Sequence, residues 1–212
     1  MFLLNFISRA WDWVRTELCH CQYKKIHKSA RIHYTVSVSN TNNLIMEENT
    51  NIDSGAVIMN TRANFVMKKN SGAAVGLLAI TGNHMSVVGK YFKQITDKIK
   101  DELDINHEMD KDIIVEEDVW IAARVTLLSG TNIGRGAVVG AGSVIRSKVP
   151  PYAIVVGNPA KIVGFKFSPE QIIQHEKELY PLEERLPFET LEKNYKKYFL
   201  DRVLEIKSFT RI

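Results

Sequence analysis

Large aliphatic residues return at every sixth position through the second half of the chain, at Val115, Ile121, Leu127, Ile133, Val139 and Ile145. Four residues after each of the first five stands a small or β-branched residue: Val119, Val125, Thr131, Ala137 and Ser143. A period of six fits neither the 3.6-residue turn of a helix nor the two-residue alternation of a plain strand. It fits short strands joined by tight turns, in which each side of a triangular coil sends one large side chain into a shared interior. Residues eighteen apart then stack, Val115 with Ile133, Ile121 with Val139 and Leu127 with Ile145. The expected product is a parallel β-helix with continuous apolar columns. Gly134, Gly136, Gly140 and Gly142 are expected at its turns and close approaches.

The spacing recurs earlier in weaker form, at Ile26, Ile32, Val38 and Leu44, then after a two-residue slip at Met46, Ile52 and Ile58. A third block bridges Phe65 to Ile80, and the segment VMKKNSGAAVGLLAI offers several aliphatics for the interior position, so the phase of residues 58–80 stays open. Residues 85–114 replace the period with a polar run that includes Lys98, Lys100, Asp101, Glu102, Asp104 and Asp110. A break of this kind between regular coils predicts an excursion, and such loops usually carry function or are disordered. After Pro150-Pro151 the repeat is expected to stop.

The flanks carry helical spacing instead. Ser168-Pro169-Glu170-Gln171 joins an N-cap serine, a proline at the first helical position and a glutamine at the third, so a helix starts there and Pro181 ends it. Phe188, Leu191, Tyr195, Tyr198, Phe199, Val203 and Ile206 mark a second amphipathic segment. At the other end, Phe2, Leu3, Phe6, Ile7, Ala10, Trp13, Val14 and Leu18 describe one helix face, interrupted by Arg9, Asp12 and Arg15. The domain reading is an N-terminal helix over 1–22, a β-helix domain over 23–165 with its excursion, and a helical extension over 166–212.

Composition narrows the function classes. The 212 residues are 45% hydrophobic and 25% charged, enough for one substantial core. A net charge of +4 suits an anionic ligand, but 28 basic and 24 acidic residues alternate without a basic stripe, which argues against nucleic acid. Two cysteines, Cys19 and Cys21, exclude a disulfide framework and fit a reducing cytoplasm. Cys19-His20-Cys21 lacks the spacing of a structural zinc site and has no second ligand pair, so no metal is expected. The N-terminal segment is too charged and too short to span a bilayer and has no signal-peptide cleavage site. It reads as a cover for one side of the main domain, with peripheral membrane contact left open.

Four motifs add to this reading: Thr81-Gly82-Asn83-His84 at the edge of the excursion, Asp118-Val119-Trp120-Ile121, Gly140-Ala141-Gly142-Ser143, and Gly157-Asn158-Pro159-Ala160-Lys161. Together they resemble the left-handed β-helix acetyltransferases, the family of maltose, galactoside, xenobiotic and streptogramin acetyltransferases, over roughly residues 26–165. The resemblance implies a mainly β fold, a left-handed parallel β-helix of hexapeptide repeats with an amphipathic N-terminal helix and C-terminal helices. The hand comes only from the resemblance, since periodicity does not show it. The segments FSPEQIIQHEKELYPLEERLP and MNTRANFVMKKNSGAA look most like saccharide or capsule O-acetyltransferases.

The implied reaction is acetyl transfer from acetyl-CoA to a saccharide hydroxyl, which needs a base as the hydroxyl attacks the thioester. Histidine suits that task near neutral pH, and His84 matches the family's catalytic position. Asn83 is a candidate to orient the acceptor or to meet the oxyanion, or equally a turn residue, and Asn60 and Asn64 are candidate acceptor contacts. The cofactor side is expected along the C-terminal coils at Trp120, Ala123, Ala141, Arg146, Ser147 and Lys161, with Trp120 there as a packing anchor rather than a chemical participant. This chain departs from the family where Ala122 replaces a frequent glycine and Arg146-Ser147 replaces threonine-lysine, so Arg146 or Lys148 could supply the charge. The resemblance further implies a homotrimer with sites between subunits. Alternatives are an antibiotic, xenobiotic or amino-sugar acceptor and, more remotely, a metal-dependent hydratase or a non-catalytic solenoid; Ala79 and Gly89 deny His84 a histidine five residues away.

Overall fold

The computed structural model describes residues 11–18 and 20–210. Residues 1–10, Cys19 and residues 211–212 lie outside them, and with them most of the apolar face read for the N-terminal helix; residues 11–18, α1, are helical.

Each coil is three short strands. The first has β1 (Arg31–Ile32), β2 (Ser37–Val38) and β3 (Leu44–Met46), and the second β4 (Asn51–Ile52), β5 (Val57–Met59) and β6 (Phe65–Met67). The third has β7 (Gly72–Ala73), β8 (Leu78–Ile80) and, beyond the excursion, β9 (Ile113–Val115). The fourth has β10 (Trp120–Ile121), β11 (Thr126–Leu128) and β12 (Asn132–Ile133), and the fifth β13 (Val138–Val139), β14 (Val144–Ile145) and β15 (Lys148–Val149). Strands stack in parallel into three faces, the first beginning at β1, the second at β2 and the third at β3.

The stacked register is the one the period predicts: Val115 pairs Ile133, Ile121 pairs Val139 and Leu127 pairs Ile145. All six are buried, as are Val119, Val125, Thr131, Ala137 and Ser143. The open phase of residues 58–80 resolves through the pairs Met67 with Val115, Ala73 with Ile121 and Ala79 with Leu127. The earlier slip has a geometric cause: in β3 and β6 both ends of a three-residue strand point inward, so Leu44 and Met46 are buried in one coil and Phe65 and Met67 in the next.

With that phasing, every irregularity falls on one corner. From Arg31 to its partner Asn51 is 20 residues, from Asn51 to Gly72 is 21, and from Trp120 to Val138 is 18. The surplus lies between the second and third faces, where Val38 leads to Met46, Ile58 to Met67, and Ala79, across the excursion, to Val115. The other two corners keep the six-residue step. They do so with stacked left-handed turn residues, Asn49, Asn70, Asp118 and Gly136 on one and Gly55, Gly76, Arg124 and Gly142 on the other.

Two boundaries differ from the sequence reading. The excursion was expected to run to residue 114, but Ile113 is already buried in β9, because its aliphatic side chain enters the interior with Val115. The repeat was expected to stop at Pro150-Pro151, yet β16 (Ala153–Val156) adds one more parallel strand to the first face before β17 (Lys161–Phe165) folds back antiparallel. Tyr152, fully buried, fills the turn there, and a Cβ on Gly136 would stand 2.4 Å from its ring.

The helical extension closes this end. Helix α3 (Pro169–Leu179) begins with the expected Ser168 and Gln171 capping box. The second amphipathic segment is two helices, α4 (Phe188–Tyr198) and α5 (Val203–Thr210), separated by a 3-10 turn at Leu200–Arg202. Glu176 of α3 is fully buried and accepts from Tyr152 Oη at 2.6 Å, Arg135 at 3.0 Å and the Leu186 amide at 3.0 Å, so no lone charge is left inside. Among the described residues no helix is long and apolar enough to cross a membrane.

Candidate active site

The excursion leaves the irregular corner after β8. Thr81 is buried there, its hydroxyl donating to the carbonyls of Met59 and Ala63. Gly82 forms an antiparallel bridge with Asp110, the Asn83 amide donates to the Met109 carbonyl at 3.0 Å, and the Lys111 amide donates to the Thr81 carbonyl at 3.0 Å. The excursion is thus pinned at its base as a two-stranded neck. Its single α-helix, α2 (Asp97–Leu103), is capped by Thr96, whose hydroxyl accepts from the Ile99 amide.

Asn83 and His84 sit on this neck with their side chains exposed. The His84 imidazole meets Phe92 edge to face, with ring centroids 4.8 Å apart at 78°. No hydrogen bond to either ring nitrogen is formed among the described residues. The Asn83 main-chain N–H is already used by Met109, so only its side-chain amide is left to act as a donor toward a ligand.

The acceptor-side asparagines are differently placed. Asn60 lies one coil before Thr81 on the same corner, but it is 0% exposed; its Oδ1 accepts from the Asn40 amide at 3.0 Å and its Nδ2 donates to the Asn40 carbonyl at 2.9 Å. Asn64 is held by Asp112, which accepts from its main-chain amide at 2.7 Å and from its side chain at 3.2 Å. Both side chains serve as ties between successive coils.

On the opposite side of the site, Arg146, Ser147 and Lys161 come together. They line one open cleft of about 730 Å³ with Lys148, Tyr198 and Arg202, between the last coil and the helical extension. Arg202 is paired with Glu205 at 2.9 Å, and Lys161 lies 4.7 Å from the Phe209 ring centroid. Ala123 and Ala141 do not line this cleft; they occupy successive turns of a regular corner, where the Gly142 amide donates to the Ala123 carbonyl at 2.9 Å. Trp120 is 59% exposed on the outer side of the first face, so it is not a packing anchor within this chain. Register places Ser147 on the corner that carries Thr81, since β8 pairs β11 and β11 pairs β14. Two coil steps separate them, roughly 10 Å along the axis.

Sequence reasoning missed the charged side chains that support the neck. Lys100 and Asp110 belong to the polar run of the excursion, and both are buried and bonded to each other. Asp104 was also read as loop; the amides of Met109 at 2.9 Å and Glu108 at 2.8 Å hold its carboxyl below the usual range. Among the described residues no three His, Cys, Asp or Glu side chains group as metal ligands.

The family description "Bacterial transferase hexapeptide (six repeats)" matches residues 112–147, the strict coils. The fold is the left-handed hexapeptide-repeat β-helix. Solved structures with this hexapeptide-repeat fold include an acetyltransferase of Vibrio cholerae O1 biovar eltor complexed with acetyl coenzyme A. It is 24% identical, with 66% of this chain and 69% of that one covered at a TM-score of 0.52. A maltose O-acetyltransferase of Clostridium difficile 630 is 22% identical over 65% of this chain and 67% of that one, with a TM-score of 0.52. An N-acyltransferase of Bacillus cereus, solved with dTDP and 3-hydroxybutyryl-CoA, is 15% identical over 76% and 92%, with a TM-score of 0.58. At these identities the likeness is one of fold. No curated protein matches the chain in sequence.

Proposed function

We propose that this chain is an acyltransferase that moves the acetyl group of acetyl-CoA to a hydroxyl of a saccharide or glycan precursor, with His84 as general base. The observation that carries the reading is the shared corner, which has an exposed imidazole at one level and, two coils on, a cleft containing Arg146, Ser147, Lys148 and Lys161. An extended thioester with a polyanionic nucleotide end fits that spacing of one base and several cations. The relatives in fold are consistent with such a ligand, one being complexed with acetyl coenzyme A and another with an acyl-CoA.

In the reaction the neutral imidazole takes the proton of the acceptor hydroxyl as its oxygen bonds to the thioester carbonyl carbon. The resulting oxyanion needs a donor, for which the Asn83 side-chain amide is available. Collapse breaks the carbon–sulfur bond, and the imidazolium returns its proton to the departing thiolate, leaving the acetyl ester and free CoA. A homotrimer with sites between subunits belongs to this reading. Val57, Met59 and Val75, large apolar side chains exposed on the outside of the solenoid, support such packing.

Release of free CoA thiol, followed across saccharides, amino sugars and xenobiotic alcohols, with NMR location of the acetyl group, tests the proposal. Acetyl on a sugar oxygen is the expected product. Acetyl on an amine would replace the hydroxyl acceptor with an amino sugar, and no release with any acceptor would remove the transferase reading. Replacing Arg146 and Lys161 together by Ala is expected to raise KM for acetyl-CoA about tenfold with little change in kcat, because those charges contact a part of the donor that does not react.

A further inference from the structure

The neck of the excursion contains a buried ammonium aimed at the peptide that enters His84. Lys100, on α2, is 9% exposed, and its Nζ donates to the Asn83 carbonyl at 2.8 Å and to Asp110 Oδ1 at 2.7 Å. The Asp110 side chain is 4% exposed, and its other oxygen faces Arg62 Nε at 2.9 Å. Arg62, from the insertion between β5 and β6, also reaches Asp101 of α2, and stands 3.9 Å from Asp97. Gly82 makes room for the assembly, since a Cβ there would lie 2.5 Å from Asp110 Oδ1.

We infer that Lys100, held by Asp110, is a positioning residue for His84. The inference rests on the reading of His84 as the base. The Asn83 carbonyl and the His84 amide nitrogen belong to one planar peptide unit, so an ammonium that fixes that carbonyl fixes the orientation in which the His84 Cα leaves it. Among the described residues the imidazole makes no hydrogen bond and has a ring contact with Phe92, so its aim depends on this backbone anchor. A buried Lys–Asp pair is costly to desolvate and adds little net stability when both partners are present. Its geometry is the more specific contribution: it joins α2, the Gly82 bridge and the corner insertion at the one peptide that carries the base.

The test compares Lys100→Met with wild type on the best acceptor, together with the K100C protein before and after alkylation by 2-bromoethylamine, which rebuilds an ammonium of nearly lysine length. Wild type alkylated in the same way controls for Cys19 and Cys21. Misplacement of a base by about 1 Å is expected to lower kcat about 10- to 100-fold in K100M, with KM for acetyl-CoA changed by less than about twofold. Alkylated K100C is expected to recover kcat to within about threefold of alkylated wild type. If K100M proves unstable, the near-isosteric Asp110→Asn, which frees Lys100 from its anchor, is expected to lower kcat in the same direction with the fold retained. Wild-type kcat in K100M or in D110N, or no recovery on alkylating K100C, overturns the inference. His84→Ala separates the two readings. Wild-type activity in H84A removes the base itself, whereas an inactive H84A beside a fully active K100M removes only the positioning role.

Discussion

The three corners of this solenoid have the same neighbours and the same handed turns to make, yet two of them keep a six-residue step throughout and the third absorbs every insertion. At the regular corners the turns from β3 onward use left-handed residues stacked on one another, and the chain re-enters the interior through one buried residue before each strand. At the irregular corner the chain leaves the coil for a 3-10 turn at Thr41–Asn43, then for the Asn60–Asn64 segment, then for the excursion. Side chains, not turn geometry, close these gaps: Asn60 to Asn40, Asn64 to Asp112, Thr81 to Met59 and Ala63. A corner held by side chains can lengthen without moving the columns inside, and the candidate base stands on its longest insertion.

That contrast can be broken most directly by moving an insertion. Two glycines placed after Gly142 would displace Ser143 and Ile145 from the interior, and a loss of at least about 3 kcal/mol in urea-unfolding stability is expected, comparable to emptying a large core position. Two glycines placed after Asn42, on the irregular corner, are expected to cost less than about 1 kcal/mol, since loop length alone is a weak term. Equal losses would end the distinction.

A smaller effect is expected from Asn60→Ala. It leaves the Asn40 amide and carbonyl without their buried partners, at a cost of about 1–3 kcal/mol by the same unfolding measurement. The change should leave KM for acetyl-CoA unaltered, because Asn60 is closed off from ligand by its bonds to Asn40.

The regular end of the solenoid makes a further prediction through its tyrosines. Burial, reinforced by the Glu176 carboxylate, raises the Tyr152 phenol far above its ordinary value, and burial pushes Tyr180 up to about 12 despite the opposing effect of Arg135. A raised folded-state value means that this stabilisation is complete below about pH 10, where the unfolded phenols are still protonated, and is lost as pH rises past it. Spectroscopic titration at alkaline pH should therefore leave Tyr152 un-ionised until the fold is lost and Tyr180 un-ionised until about pH 12. Ionisation of all seven tyrosines in the folded protein would contradict the packing of α3 on Tyr152.

The same contrast decides what could be read from the sequence. From Val115 to Ile145 nothing interrupts the six-residue step, and the stacked pairs follow from counting; beyond it the step shortens, so that Ile133 pairs Val149. Before Ile80 the period is equally strict on two corners, but insertions of different length on the third shift its phase, and strands with two inward ends offer two candidates for one position. His84 and the cations Arg146 and Lys161 were singled out by motifs at the edges of regular coils, and their positions, an exposed imidazole on the neck and two cations in one cleft, are what the proposed role uses. Asn60 looked like an acceptor contact because sequence does not reveal which asparagines close upon a neighbouring coil. Lys100 and Asp110 were hidden for the opposite reason, as a charged run gives no sign of which two charges turn inward and pair. Trp120 looked like an anchor by residue type, but strand alternation turns it outward while Ile121 fills the interior.

The most direct test of the account is the ratio of kcat/KM for wild type to that for His84→Ala on the best acceptor, with both proteins shown to bind CoA. A base removed from proton transfer predicts a ratio of about 10² to 10⁴, with donor affinity unchanged. A ratio below about three, with the same affinity, would contradict the claim that the longest insertion at the irregular corner carries the chemistry.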